Sequence, residues 1–185
     1  VFVIDNGSEN QEGKQLKASF PEIELIETGT NLGFAGGNNV GIRKAIHEGF
    51  SHVLLLNNDT LVEPDFLGEL VRAAQKQPNA GVIQPMILFL HNPREIWSAG
   101  GKWIPAFCRS KTLGDREPLA NYRVKSPQLD WATGCAILVS SEAINKAGLL
   151  NEQFFVYFED VEWSLRIRKA GFEIYLEEKS KIYHE

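Results

Sequence analysis

The sequence predicts an α/β fold: a mostly parallel sheet with helices on both faces. Two observations carry this. Apolar strand-like runs alternate with amphipathic segments in the order strand, helix, strand, helix, strand, which is the pattern of right-handed crossovers in a parallel sheet. The run "HVLLLNND" is also continuously apolar, as in a strand covered on both faces. With 185 residues the chain fits a single domain, residues 1–185, long enough to bury a core.

Each element has a local reason. "VFVID" is an apolar run that ends on Asp5 and the turn-former Gly7, so it reads as a strand feeding a loop. "KQLKAS" reads as a helix stopped by Pro21, and "IELIE" as a short strand. "GGNNVGIRKAIHEG" reads as a helix capped by Asn38 or Asn39, with Ile42, Ala45 and Ile46 on one face and Gly49 at its end. "EPDFLGELVRAAQKQPNAG" is a helix with Pro64 near its first turn and Leu67, Leu70, Val71 and Ala74 as its inner stripe. "GVIQPMILFL" is a strand weakened by Pro85. Residues 91–128 are irregular, and within them "IWSAGGKW" reads as a hairpin. "LDWATGCAILVS" returns to strand. "SEAINKAGLL" is a short helix capped by Ser140 or Ser141 and closed by Gly148. A last helix starts near Asp160 and ends at Ala170, before Gly171.

Composition excludes several classes. Hydrophobic residues make up 43% and charged residues 23%, which is a globular balance. A net charge of -5 and a pI near 5.5 argue against a nucleic-acid partner, and "RIRK" reads as a solvated helix face. No apolar run reaches the roughly 20 residues of a spanning helix. Asp5 interrupts the only apolar run near the N-terminus, so no signal peptide is read there. Cys108 and Cys135 lack a CxxC partner, which favours a reducing cytosol over a disulfide scaffold. The sequons at Asn6 and Asn58 are short enough to arise by chance.

Several residues are candidates for chemistry, and each has an ordinary alternative. Asp5 and Asp59 close two strands, where ligands of open sheets bind, but an acid there also makes turns. Together they suit a nucleoside at one and a hard cation, Mg²⁺ or Mn²⁺, at the other. "NLGFAGGNNVG" matches neither the dinucleotide nor the P-loop pattern; its glycines either admit a ligand's phosphate or simply open a helix. In "FFVYFED", Asp160 falls in a helix's first turn, where the dipole favours an acid. That does not account for Glu159 beside it, Glu162 two residues on, or the aromatic run before them. An ionised carboxylate at the edge of an apolar wall is placed to accept a proton. His184 is a ligand candidate only as a neighbour of these acids.

"VIDNGSEN", "NLGFAGGNN", "LLNNDT", "TGCAILVSSEAINKAGLLNEQFFVYFEDVEWSLRIRKAGFEIY" and the closing His184 resemble the inverting GT-A glycosyltransferases of family 2, in their bacterial rhamnosyltransferase-like branch. The resemblance covers nearly the whole chain in the family's order. It implies a Rossmann-like GT-A fold, with a nucleotide-binding half over residues 1–90 and an acceptor-side, catalytic half over 91–185. It implies that Asp5 binds the base or ribose of a nucleotide donor, with Asn6, Gly36, Asn38 and Asn58 around it. Asp59 corresponds to the last acid of the D-x-D-type metal motif and His184 to a histidine that completes the metal site. Asp160 corresponds to the catalytic base, Gly134 to a turn near donor and acceptor sugars, and Glu159 to a supporting residue. Trp131 is either a sugar-stacking residue or a core tryptophan.

Two departures stand out. Asn57 and Asn58 occupy positions where many members carry acids. The family also opens on a strand reading like V-I-V-T-Y-N and continues past the closing histidine, so this chain reads as a core that starts on the second strand. The resemblance implies transfer of a sugar, with inversion, from a nucleotide-sugar to a hydroxyl of a sugar or glycolipid acceptor, in cell-surface polysaccharide synthesis. It places the protein in the cytoplasm or at the inner face of the membrane, with peripheral association through flanking segments. The rival readings are a non-catalytic nucleotide-sugar-binding or interaction domain and a nucleotidyltransferase.

Overall fold

The structure is a computed structural model that describes all 185 residues. In chain order its strands and helices are β1 (Phe2–Asp5), α1 (Glu12–Ser19), β2 (Glu24–Glu27), α2 (Gly33–His47), β3 (His52–Leu56), β4 (Thr60–Val62), α3 (Phe66–Lys76), β5 (Ala80–Phe89), β6 (Ile96–Ser98), β7 (Gly101–Ile104), β8 (Arg109–Thr112), β9 (Gln128–Leu129), β10 (Ala136–Ser140), α4 (Ser141–Ala147), α5 (Glu159–Lys169) and β11 (Glu173–His184). The path β3-β10-β5-β11-β4, with β6 against β5 and β9 against β11, makes a seven-stranded sheet. β1 and β2 pair in parallel as a ribbon of their own, and β7 and β8 form a third, antiparallel pair.

The α/β class stands, and the sheet is mixed. Parallel pairing is confined to β1–β2 and β5–β11, because β10 enters antiparallel between β3 and β5 and β4 runs antiparallel to β11. β3, expected to lie covered at the centre, is an edge strand on which only Leu55 is buried. The centre belongs to β5, all ten of whose residues are buried. Pro85 does not break it: the pairing with β10 ends at Ile83, and the register of β11 shifts between Glu177 and Lys181, next to Pro85. The main core packs Val82, Met86 and Leu88 of β5 against Ile137, Val139, Trp163, Ile167 and Ile174.

Other local expectations move. "IWSAGGKW" is not a hairpin: β6 pairs with β5, and β7 turns back on β8 through Cys108, in the left-handed region at φ 47°. α2 starts at Gly33, so Asn38 and Asn39 lie inside it and cap nothing. α3 buries Leu70 and Ala73, whereas Leu67 and Val71 are exposed, because only one narrow stripe meets β5 and β11. Ser140 is the residue that caps α4, its hydroxyl accepting the Ala143 N–H at 3.1 Å. The basic run on α5 is not merely solvated. Arg166 holds Glu162 through two hydrogen bonds and reaches the Ala147 and Leu149 carbonyls, and Arg168 pairs with Asp130 at 3.0 Å.

Candidate active site

Strand register gathers the site. His184, the last residue of β11, pairs with Thr60 of β4, so the residue before Thr60, Asp59, comes to its side chain. His184 Nε2 lies 3.3 Å from Asp59 Oδ1. On the neighbouring strand Ala136 pairs with Leu56, and the Asn57 N–H donates to the Cys135 carbonyl at 2.9 Å, which brings Cys135 and Gly134 alongside Asp59. Burial, reinforced by the charge of Asp59, pushes the Cys135 thiol up to about 12, so it stays a neutral wall. The Gly134 N–H in turn donates to Asp160 Oδ2 at 3.0 Å. Asp59, Gly134, Asp160 and His184 thus lie along one rim, at the carboxyl ends of β3 and β11.

Asp160 is positioned by its surroundings rather than by an ion pair. It sits in the first turn of α5, where Oδ1 accepts the Val161 N–H at 2.7 Å. Burial raises its carboxyl above the ordinary value, and the N–H groups of Gly134 and Val161 and the Thr133 hydroxyl oppose that rise. Glu159 is buried and likewise raised by burial, and its Oε2 has no partner. Glu162 is bound to Arg166 and does not belong to the acid pair. The aromatic run is exposed: Phe155, Val156, Tyr157 and Phe158 all face outward, with Tyr157 and Phe158 at φ 70° and 72°. It is tied down at one point, where the Phe34 N–H donates to the Phe155 carbonyl at 2.8 Å. That bond uses the second N–H of α2; the first, of Gly33, donates to Asn31 Oδ1 at 2.9 Å. Gly134 has no room for a side chain, since a Cβ would lie 2.8 Å from the Phe34 ring.

The N-terminal candidates form a neighbouring group. Asp5 is buried; Oδ1 accepts the Ser8 N–H at 2.8 Å, and that bond holds its carboxyl below the ordinary value. Gly13 gives it space in α1, where a Cβ would strike Oδ2. Asn6 stitches β1 to the entry of α2: it donates to the Gly33 carbonyl at 3.0 Å and accepts the Leu32 N–H at 3.0 Å. Gly37 packs on the Asn6 amide, and Gly36 packs against Leu32. Asn38 donates to the Phe34 carbonyl within its own helix, and Asn58 is exposed. These residues reach the first group through Phe34, which follows Gly33 and abuts Gly134, not by direct contact.

No three His, Cys, Asp or Glu side chains cluster as a metal cage. The rim offers two donors, the Asp59 carboxylate and the His184 imidazole, whose Nδ1 is buried without a partner. A hard dication completes its shell with water and substrate phosphate oxygens, so two facing donors fit one that shares its ligands with a substrate.

Sequence reasoning missed the cavity next to this rim. It holds about 280 Å³ and is lined by Phe89, Trp97, Ser98, Asp115, Arg116 and Trp131 among others. Trp97 packs at a tilt against His184, the ring centroids 4.8 Å apart. Trp131 is buried with its ring on Gly101 and its indole N–H on the Lys102 carbonyl, and one edge reaches the cavity. The one legible signal was Gln84, a lone amide in an otherwise apolar strand.

The fold is of the GT-A class: the structure of GalNAc-T7 with UDP, GalNAc and Mn²⁺ superposes on it with a TM-score of 0.75 over 99% of this chain and 37% of its own, at 17% identity. The chain belongs to glycosyl transferase family 2, whose model matches residues 1–146. It is 30% identical to the low-salt glycan biosynthesis hexosyltransferase Agl10 of Haloferax volcanii over 94% of this chain and 55% of that protein. It is 26% identical to the N-acetylglucosaminyl-diphospho-decaprenol L-rhamnosyltransferase of Mycobacterium tuberculosis over all of this chain and 66% of that one. The chain therefore spans between half and two thirds of these relatives' length. No helix is long and apolar enough to cross a membrane.

Proposed function

We propose that this chain is the core of an enzyme that transfers a sugar, with inversion, from a nucleoside-diphosphate donor to a hydroxyl of a sugar or glycolipid acceptor. The observation that carries the reading is the placement of Asp160, a partly buried carboxylate held by two backbone N–H groups on the same rim as Asp59 and His184. Hexosyl and rhamnosyl transfer in the named relatives supports a donor of that class and an acceptor that includes lipid-linked glycans. Residues 1–90 would hold the nucleotide, with Asp5, Asn6, Gly36, Asn38 and Asn58 around it, and residues 91–185 the acceptor and the base.

The chemistry follows from the side chains. The acceptor oxygen attacks the anomeric carbon opposite the leaving group, the bond from that carbon to phosphate oxygen breaks, and the diphosphate departs with the electron pair. Asp160 accepts the hydroxyl proton as the new bond forms. Burial raises its pKa, which makes it a stronger base, while the N–H groups of Gly134 and Val161 favour its ionised form. Asp59 and His184 would hold a divalent cation, Mg²⁺ or Mn²⁺, which as a Lewis acid offsets the charge of the diphosphate. The exposed run Phe155 to Phe158 would wall the approach to Asp160, with Glu159 behind it. Docking at the inner face of a membrane would come through flanking segments.

The test is transfer from a panel of nucleotide-sugars to lipid-linked and free glycan acceptors, by wild type and Asp160→Asn. The reading expects transfer by wild type, and loss of about 100- to 10,000-fold in the variant with nucleotide binding retained. Nucleotide binding without transfer or donor hydrolysis in wild type would favour the non-catalytic binding domain instead.

A further inference from the structure

We propose that the 280 Å³ cavity beside the rim is a subsite for one neutral pyranose ring, the sugar that carries the acceptor hydroxyl; this rests on the sugar-transfer reading above. Its place is the first reason. Thr133 lines the cavity and precedes Gly134, whose N–H holds Asp160, while Trp97 on another wall packs against His184. A ring lodged there would be one residue from the group that holds the base and in contact with the tryptophan that packs on His184. The volume is at the small end of ligand cavities and suits one ring rather than a chain.

The lining is the second reason. A pyranose has apolar C–H faces and a rim of hydroxyls. Trp97 offers apolar ring surface and Trp131 an indole edge, Ser98 and Thr133 offer hydroxyls, and Asp115 and Arg116 offer a charged acceptor and donor side by side. The positive φ of Gly114, 73°, and of Arg116, 58°, fold the turn that carries that pair.

The floor is rigid by construction. Gln84 is fully buried on β5; its Oε1 accepts the Thr133 N–H at 2.8 Å, and its amide donates to Ser98 Oγ at 3.4 Å. Ser98 Oγ also accepts the Gly100 N–H at 3.1 Å. A buried amide is costly unless all its bonds are made, and here those bonds fix the two residues that carry the floor's hydroxyls.

Charge selects a neutral ring. Arg116 lies over Phe89 at 5.2 Å, with Glu95 at 3.9 Å and Asp115 next to it in the chain. Two acids against one guanidinium leave no net positive field for a phosphate or uronate.

The experiment is saturation-transfer NMR and titration with neutral methyl hexopyranosides, with methyl glucuronide as the anionic control. It compares wild type, Trp97→Ala, Asp115→Asn and Arg116→Ala, each also titrated with nucleoside diphosphates. At least one neutral glycoside is expected to bind wild type and to bind each variant about tenfold more weakly, with nucleotide affinity unchanged in Asp115→Asn and Arg116→Ala. Asp115 and Arg116 are exposed, so their variants decide the matter even where Trp97→Ala fails to fold. Absence of glycoside binding, unchanged glycoside affinity in Asp115→Asn and Arg116→Ala, or preference for the glucuronide would overturn the subsite. Loss of nucleotide binding in wild type with glycoside binding intact would instead count against the donor reading and leave the subsite standing.

Discussion

Burial raises the pKa of Asp160, and Gly134 and Val161, which each point an N–H at it, oppose that rise. A base must be ionised, so activity should fall with acid as pH drops through that raised value. The pH profile of kcat/KM is expected to show an acid limb with its midpoint above 3.8, the ordinary aspartate value. Glu159 has the same sign: burial outweighs the bond from its own backbone N–H, and its Oε2 is buried without a partner. An acid whose folded pKa is raised binds its proton more tightly in the folded state. Its stability contribution is therefore full at low pH and is lost as pH rises through the raised value. Glu159→Gln should be close to neutral below pH 4 and stabilising near pH 7.5, by roughly 1 kcal/mol or about 2–4 °C in Tm. Thermal unfolding at both pH values checks this; equal effects at the two would contradict it. These acids could be picked out of the sequence because two carboxylates beside an aromatic run have no routine explanation. Trp97, Asp115 and Arg116 could not, because no periodicity marks an irregular stretch.

The elements around Asp160 are held by polar ties that cross long sequence separations. Asn39 of α2 donates to the Leu150 carbonyl at 2.9 Å and accepts the Leu150 N–H at 3.1 Å, which fixes the segment leading to the aromatic run. Asn39→Ala strands both backbone groups and should cost about 1–3 kcal/mol, measurable by urea unfolding. Gly134→Ala puts a methyl group against Phe34 and shifts the N–H that holds Asp160. It should lower kcat more than it raises the donor KM; the reverse split would assign Gly134 to the donor. Helix and strand identities were legible because periodicity and stop signals are local. Asn38 and Asn39 looked like caps because a polar pair near a helix start is a local signal. At the actual start Asn31 Oδ1 accepts the Gly33 N–H, and the Phe155 carbonyl, remote in sequence, accepts that of Phe34. β6 and β7 similarly looked like one hairpin, yet β6 pairs back on β5 and β7 forward on β8.

Across the whole molecule, the order of strands decides which residues meet. An alternating strand–helix pattern implied a parallel sheet, yet β10 inserts antiparallel between β3 and β5 and carries Gly134 and Cys135 to Asp59. That insertion follows an irregular stretch, so its direction was not written in any local pattern. The resemblance to a known family nonetheless pointed to Asp59, Asp160 and His184, whose order in the chain can be read even where pairing cannot, and the structure brings them to one rim. Asp5 and Asn6 lie across the α2 entry from them, so a donor that spans both groups must be long, with its base at one end and its diphosphate at the other. The central claim is that Asp59 and His184 act together on such a donor. Isothermal titration of UDP, dTDP and GDP, with and without Mn²⁺, tests it on wild type, Asp59→Ala and His184→Ala. We predict that one nucleotide binds wild type with Mn²⁺, and at least about tenfold more weakly without the metal or in either variant. Equal affinity with and without Mn²⁺, or full Mn²⁺-dependent binding in Asp59→Ala, would contradict it.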